Sequence, residues 1–147
     1  MYPPGYSYED SGTTYKTVWQ ASCIYYLDKV LYYYCYRKSS ITALITEKTM
    51  SDYYEMSMQQ YHDLAAWGYP SDKLENFLKN RALSYCIMQK PNNSDAHYVF
   101  SKNVLLESKS ILKNTAGKRK CMFLLFKYCR PLFEVCCVLF GKKVRSE

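Results

Sequence analysis

From Tyr15 to Arg37, apolar residues recur at helical spacing on two sides of the chain. At about 100° per residue, Trp19, Cys23, Tyr26, Leu27, Val30 and Tyr34 share one face, and Val18, Tyr25, Tyr32 and Tyr36 lie nearly opposite. The spacing predicts one long helix, apolar on both sides and therefore sandwiched between two surfaces. The first stripe reads as core. The second is either a candidate partner surface or a half-wet face covered by the tail. Tyrosine suits both settings, because its ring packs while its hydroxyl finds a hydrogen-bond partner.

Lys38-Ser39-Ser40 breaks this pattern, and Ile41 to Lys48 reads as a short helix. A further helix is expected from Thr49 or Ser51, where Thr49-x-x-Asp52 approximates a capping box, through Tyr54, Met58, Tyr61, Leu64 and Ala65. Gly68 and Pro70 supply its stop. Ser71 then caps a helix whose buried stripe is Leu74, Phe77, Leu78, Ala82, Tyr85 and Cys86, with Lys73, Glu75, Lys79, Asn80 and Arg81 on the wet side. After the Pro91–Asp95 loop, Ala96 to Asn114 reads as helix with Phe100, Val104 and Ile111 inward. An alternative pairs Ser84–Gln89 with His97–Ser101 as a hairpin, giving a winged-helix-like α+β arrangement. Thr115 to Lys120 is a basic linker. Cys121 to Phe140 is the most apolar stretch, divided by Pro131 into two helices that meet near Arg130.

These elements predict an all-α fold: a compact bundle of about six or seven helices, with the apolar C-terminal pair at its centre. The expected boundaries are a flexible Pro/Tyr-rich tail over 1–14, a single helical domain over 15–141 and a basic tail over 142–147. Composition agrees. Five Gly and five Pro in 147 residues are too few for the turns of a sandwich or barrel. With 48% hydrophobic and 22% charged residues, disorder throughout is excluded.

Seven cysteines are an odd number, and residues 1–14 hold no apolar leader, so the expectation is free thiols in an intracellular, cytoplasmic or nuclear, protein. Cys23, Cys86, Cys136 and Cys137 occupy positions suited to small buried hydrophobes. Their spacing offers no paired zinc ligands, so no metal and no cofactor are predicted. Pro3-Pro4-Gly5-Tyr6 matches the PPxY string that WW domains hold as polyproline II, a weak signal resting on Pro3, Pro4 and Tyr6. Lys127, Arg130 and Glu134 within the apolar stretch argue against a membrane span. Its basic flanks and the Cys136-Cys137 pair leave peripheral attachment to an anionic membrane surface as a reading.

Charge is unevenly spread. Residues 1–78 carry six Lys/Arg against nine Asp/Glu and fourteen of the seventeen tyrosines, whereas residues 79–147 carry fourteen Lys/Arg against four Asp/Glu. An aromatic half precedes a basic half. Lys113, Lys118, Arg119, Lys120, Lys142, Lys143 and Arg145 are therefore candidate contacts to nucleic acid or another anion. His62 and His97 are the only histidines. With no nucleophile elbow, oxyanion loop or phosphate cradle, no catalytic residues are assigned and no enzyme is expected. The leading expectation is a non-enzymatic protein–protein interaction module, a regulatory adaptor or inhibitor, that presents Val18, Tyr25, Tyr32 and Tyr36 to a partner or to itself as a homodimer. Nucleic-acid binding through the basic half is the alternative, and membrane association the third.

Overall fold

A computed structural model of the chain describes residues 4–33, 35, 46–89, 96–113 and 115–140. Six helices carry them: α1 (Glu9–Gln20), α2 (Glu47–Ala66), α3 (Ser71–Gln89), α4 (Ala96–Glu107), α5 (Gly117–Tyr128) and α6 (Arg130–Phe140). The fold is an all-α bundle in which each helix packs chiefly against its neighbours in sequence. No strand occurs among the described residues, so the hairpin reading fails: Ser84–Gln89 ends α3, and His97–Ser101 lies in α4.

The largest departure from the sequence reading is at the start. The expected helix over Tyr15–Arg37 instead begins at Glu9 and stops at Gln20, where Ala21 turns extended at φ −70°, ψ 126°. Residues 9–14, read as tail, thus form the first turn and a half of α1. Glu9 and Asp10 place negative charge there, at the positive end of the helix dipole. Beyond Gln20, the run of Tyr, Ile, Val and Cys consists of poor helix formers. Among the described residues of this run, the large apolar side chains are exposed, so no burial offsets that propensity. Of the expected core stripe, Trp19, Cys23, Tyr26, Leu27 and Val30 are exposed, and Tyr34 lies outside the described residues.

The start of α2 is set one turn earlier than expected. Thr46 is the N-cap: its Oγ1 accepts from the Thr49 amide at 3.2 Å, and its own amide donates to Thr49 Oγ1 at 2.7 Å. Thr49 is therefore the far member of the capping box, and Asp52 is freed for a buried role. Of the short helix expected over 41–48, residues 41–45 lie outside the described set, while Glu47 and Lys48 open α2. The stop is as expected. Gly68 takes φ 75°, a left-handed value that glycine reaches without strain, and Pro70 precedes α3.

In α3 the expected stripe is buried at Leu74, Ala82, Tyr85 and Cys86 and widens to take in Leu83 and Lys79, whereas in α4 the inward face is rotated from expectation. In α3, Lys79 is 2% exposed: its Nζ donates to Ser110 Oγ at 2.6 Å and sits 3.1 Å from Glu75 Oε1. A lysine stem packs as hydrocarbon once its head has partners, which simple polarity scoring misses. In α4 the inward side is Tyr98, Ser101 and Leu105, continued past the helix by Ser108 and Leu112, whereas Phe100 and Ile111 are exposed. The helix ends at Glu107, seven residues before the expected Asn114.

The core joins Leu83, Tyr85 and Cys86 of α3 to Tyr98 and Leu105 of α4, Phe123 and Phe126 of α5, and Phe133 and Cys137 of α6. Met50 brings in α2. Phe126 and Phe133 meet edge to face at 5.0 Å across the α5–α6 junction, the break that Pro131 predicts. The C-terminal pair thus supplies core, but only from one side. Leu132, Val135, Val138 and Leu139 of α6 face outward, so α3 and α4 share the centre with them. None of the seven cysteines forms a disulfide; Cys86 and Cys137 are buried and Cys136 partly so. Burial pushes the Cys86 thiol up to about 12. Among the described residues, no helix is long and apolar enough to cross a membrane.

Candidate functional site

Two features stand apart from this core. The first is residues 21–33, which form neither helix nor strand. From Ile24 to Tyr33 the segment holds eight large apolar side chains, each 57–89% exposed. Its internal backbone bonding is limited, among the described residues, to the Lys29 amide donating to the Leu27 carbonyl at 2.9 Å. Apolar side chains and main-chain polar groups are therefore both open along one stretch.

The second is a groove of about 850 Å³ above α3. Its floor follows from helical spacing: Lys73, Phe77 and Arg81 recur every fourth residue, with Asn76, Asn80 and Ser84 alongside. One wall is aromatic, with Tyr15 and Trp19 from α1, Tyr53 from α2 and Tyr69 from the α2–α3 turn. Lys113 and Arg119 complete the lining as a basic wall.

The aromatic wall stands because α1 is pinned to α2. Gly12 lies so close to Met56 that a Cβ there would fall 2.5 Å from its Sδ. Trp19 stacks on Trp67 at 5.3 Å, and Tyr8 meets Tyr53 edge-on at 5.6 Å. Asp52 accepts from the Ser7 amide at 2.8 Å and from Lys48 Nζ at 2.7 Å. Burial alone would raise the Asp52 carboxyl, but these donors hold it below its ordinary value.

The basic wall is fixed with equal care. Arg119 donates to the Asn80 carbonyl at 2.7 Å and to Ser84 Oγ at 2.6 Å, tying the first turn of α5 to the middle of α3. The Lys113 amide donates to Asn76 Oδ1 at 2.8 Å, and Asn76 Nδ2 returns a bond to the Lys113 carbonyl at 3.1 Å. On the floor, the Arg81 guanidinium lies 5.1 Å from the Phe77 ring centre and 5.7 Å from that of Tyr53, a cation–π arrangement.

The residues singled out from sequence fall as follows. Val18, Tyr25 and Tyr32 are exposed, but on no common stripe: Val18 lines the groove, and the tyrosines lie in the irregular segment. Tyr36, Pro3, Lys142, Lys143 and Arg145 lie outside the described residues. Lys118 and Lys120 are exposed on α5, in the helix rather than in a linker, whereas Lys113 and Arg119 meet in the groove. At Pro4 and Tyr6, the string turns instead of running as polyproline II. Gly5 has φ 84°, and Lys48 Nζ holds its carbonyl at 2.6 Å and lies 5.9 Å from the Tyr6 ring centre. His97 stacks on Tyr54 at 4.0 Å as a packing residue.

Lys73, Tyr69 and Arg81 were missed as site residues. Their signal is the fourfold spacing of Lys73, Phe77 and Arg81, which a search for buried stripes reads as solvated surface. No family model, curated protein or solved structure matches this chain, so the sites stand on their geometry alone.

Proposed function

We propose that this protein is a non-enzymatic interaction module that engages a protein partner through residues 21–33. The observation that carries the reading is the continuous exposure of aromatic and β-branched side chains from Ile24 to Tyr33. Exposed apolar patches of this kind mark interaction surfaces, and tyrosine is enriched at the centres of such interfaces. The composition favours strand, and the main-chain groups are open. These two properties suit addition to the edge of a partner's sheet, where backbone bonds give affinity and alternate side chains give specificity. Self-association through the same segment is the homodimer form of the reading.

The test is the double variant Tyr25→Glu/Tyr32→Glu. Because both rings are exposed, circular dichroism and thermal unfolding should match the parent. A photo-crosslinker at position 26 should capture one protein species, or a second copy, with the parent segment and not with the variant. If the variant loses helix or unfolds early, the segment is internal core and the reading fails.

A further inference from the structure

The groove above α3 answers to a different chemistry from the aromatic segment. Its lining carries four cations, Lys73, Arg81, Lys113 and Arg119, and one carboxylate, Asp72. The ion pairs among the described residues are Lys16–Asp63, Lys48–Asp52 and Lys79–Glu75, so none of these four is neutralised by a carboxylate. A concave site lined by one sign of charge concentrates counter-ions. The same site is lined by aromatic rings: Trp19, which stacks on Trp67 and is 45% exposed, and Tyr69, edge-on to Trp19 at 6.3 Å. An anion alone would use the cations and leave the rings idle. An apolar ligand would do the reverse.

The ligand that uses both has planar faces joined by regularly spaced negative charges. We infer that this groove binds single-stranded nucleic acid, with bases against the Trp19–Tyr69 wall and phosphates against Lys73, Lys113 and the free edges of the two guanidinium groups. Arg81 and Arg119 each spend part of their fork on the protein, and a guanidinium has five donors, so donors remain for phosphate. Stacking on aromatic walls beside a basic track is how single strands are held without sequence readout. The aromatic first half of the chain and its basic second half meet here, which gives the charge asymmetry a location. This inference is independent of the 21–33 segment, whose residues do not line the groove.

The experiment is fluorescence anisotropy of a labelled oligothymidylate about eight nucleotides long against the full chain, across a salt series. Quenching of the two tryptophans, Trp19 and Trp67, is followed in parallel. Binding should weaken steeply with salt and quench the tryptophans. Lys73→Gln/Lys113→Gln, two exposed side chains, should weaken binding by about tenfold and lessen the log–log salt slope by about 1.4, the expectation for two lost phosphate contacts on a single strand. Trp19→Leu should weaken it by about tenfold through lost stacking. Lys118→Gln/Lys120→Gln, outside the groove, should change affinity by less than about twofold. Unchanged affinity in the Lys73/Lys113 variant overturns the inference even if Trp19→Leu unfolds. So does binding that follows Lys118 and Lys120 instead, or polyglutamate that displaces the oligonucleotide as well as unlabelled strand does. The last result would assign the groove to acidic peptide.

Discussion

The Tyr15 hydroxyl donates to Asp63 Oδ2 across the α1–α2 seam, 48 positions along the chain, and Lys16 Nζ reaches the same oxygen at 3.1 Å. One carboxylate thus locks the helix that carries the aromatic wall of the groove. Burial raises the Tyr15 phenol above its ordinary value, and its bond to Asp63 raises it further. Burial works against Asp63 in the same sense, but the Tyr15 and Lys16 donors bring it below the ordinary carboxylate value.

The signs give a pH window. Asp63 is depressed in the folded state, so its contribution is present above the unfolded carboxylate value of about 3.9 and is lost as pH falls through the folded one. Tyr15 is raised, so its contribution is full below about pH 10 and is lost as pH climbs toward the folded value. Emission from the Trp19–Trp67 stack should therefore be flat between about pH 5 and 9 and change at both ends. Tyr15→Phe should shrink the alkaline change, the remainder belonging to Tyr8, whose phenol is also raised by burial. Asp63→Asn should shrink the acid one, the remainder belonging to Asp52. An alkaline transition untouched by Tyr15→Phe would place it elsewhere.

Gly12 tests how closely α1 approaches α2. A branched side chain there must displace the buried Met56, and overpacking of this kind costs about 1–3 kcal/mol. Gly12→Val should lower the thermal midpoint accordingly, and Met56→Ala in that background should recover part of the loss. Equal stability of Gly12→Val and parent would mean the helices stand farther apart.

Within the basic run, Arg119 should behave unlike its neighbours. Its two charge-assisted bonds to α3 make Arg119→Gln destabilising by about 1.5–3 kcal/mol, a typical loss for hydrogen bonds to a charged group. Lys118→Gln and Lys120→Gln, on the exposed side, should fall within about 0.5 kcal/mol of the parent in chemical denaturation.

Lys79 separates packing from charge. Lys79→Met keeps the buried stem and removes a desolvated ammonium, so it should be neutral to within about 1 kcal/mol. Lys79→Ala leaves a hole and should cost about 2–4 kcal/mol. Equal losses in the two variants would show that the bonds to Ser110 and Glu75 carry the site.

Most of the helical punctuation was legible in the sequence. Gly68, Pro70 and Pro131 act locally through backbone geometry, and they stop or divide helices where their chemistry dictates. The apolar run containing Phe123, Phe126, Phe133 and Cys137 was legible as core because large side chains recur at helical spacing within two helices that Pro131 delimits, although Leu132, Val135, Val138 and Leu139 of the same run face outward. What the sequence concealed depends on neighbours. The two-faced pattern of 15–37 suits a sandwiched helix, yet helix propensity beyond Gln20 is weak and, among the described residues there, both stripes are exposed. Ser101 and Lys79 point inward although their polarity scores outward, because hydrogen-bonded partners and packed stems are tertiary facts. The groove was half legible. Lys113 and Arg119 were named for their charge, but their meeting with Lys73, Arg81 and Trp19 arises only when α1, α3 and the start of α5 come together.

Neighbour-upon-neighbour packing has a kinetic and mechanical consequence. Contacts between sequence-adjacent helices close short loops, which favours fast folding and lets separate parts of a chain open independently. α1 contributes a single buried residue, Gly12, whereas α3 is tied into the centre by Leu83, Tyr85 and Cys86. The molecule should therefore peel from its N-terminal end, with α1 lifting away in hydrogen exchange long before α3 opens. One wall of the groove travels with α1, so the site would vanish and re-form with that peeling while the rest of the bundle stays folded.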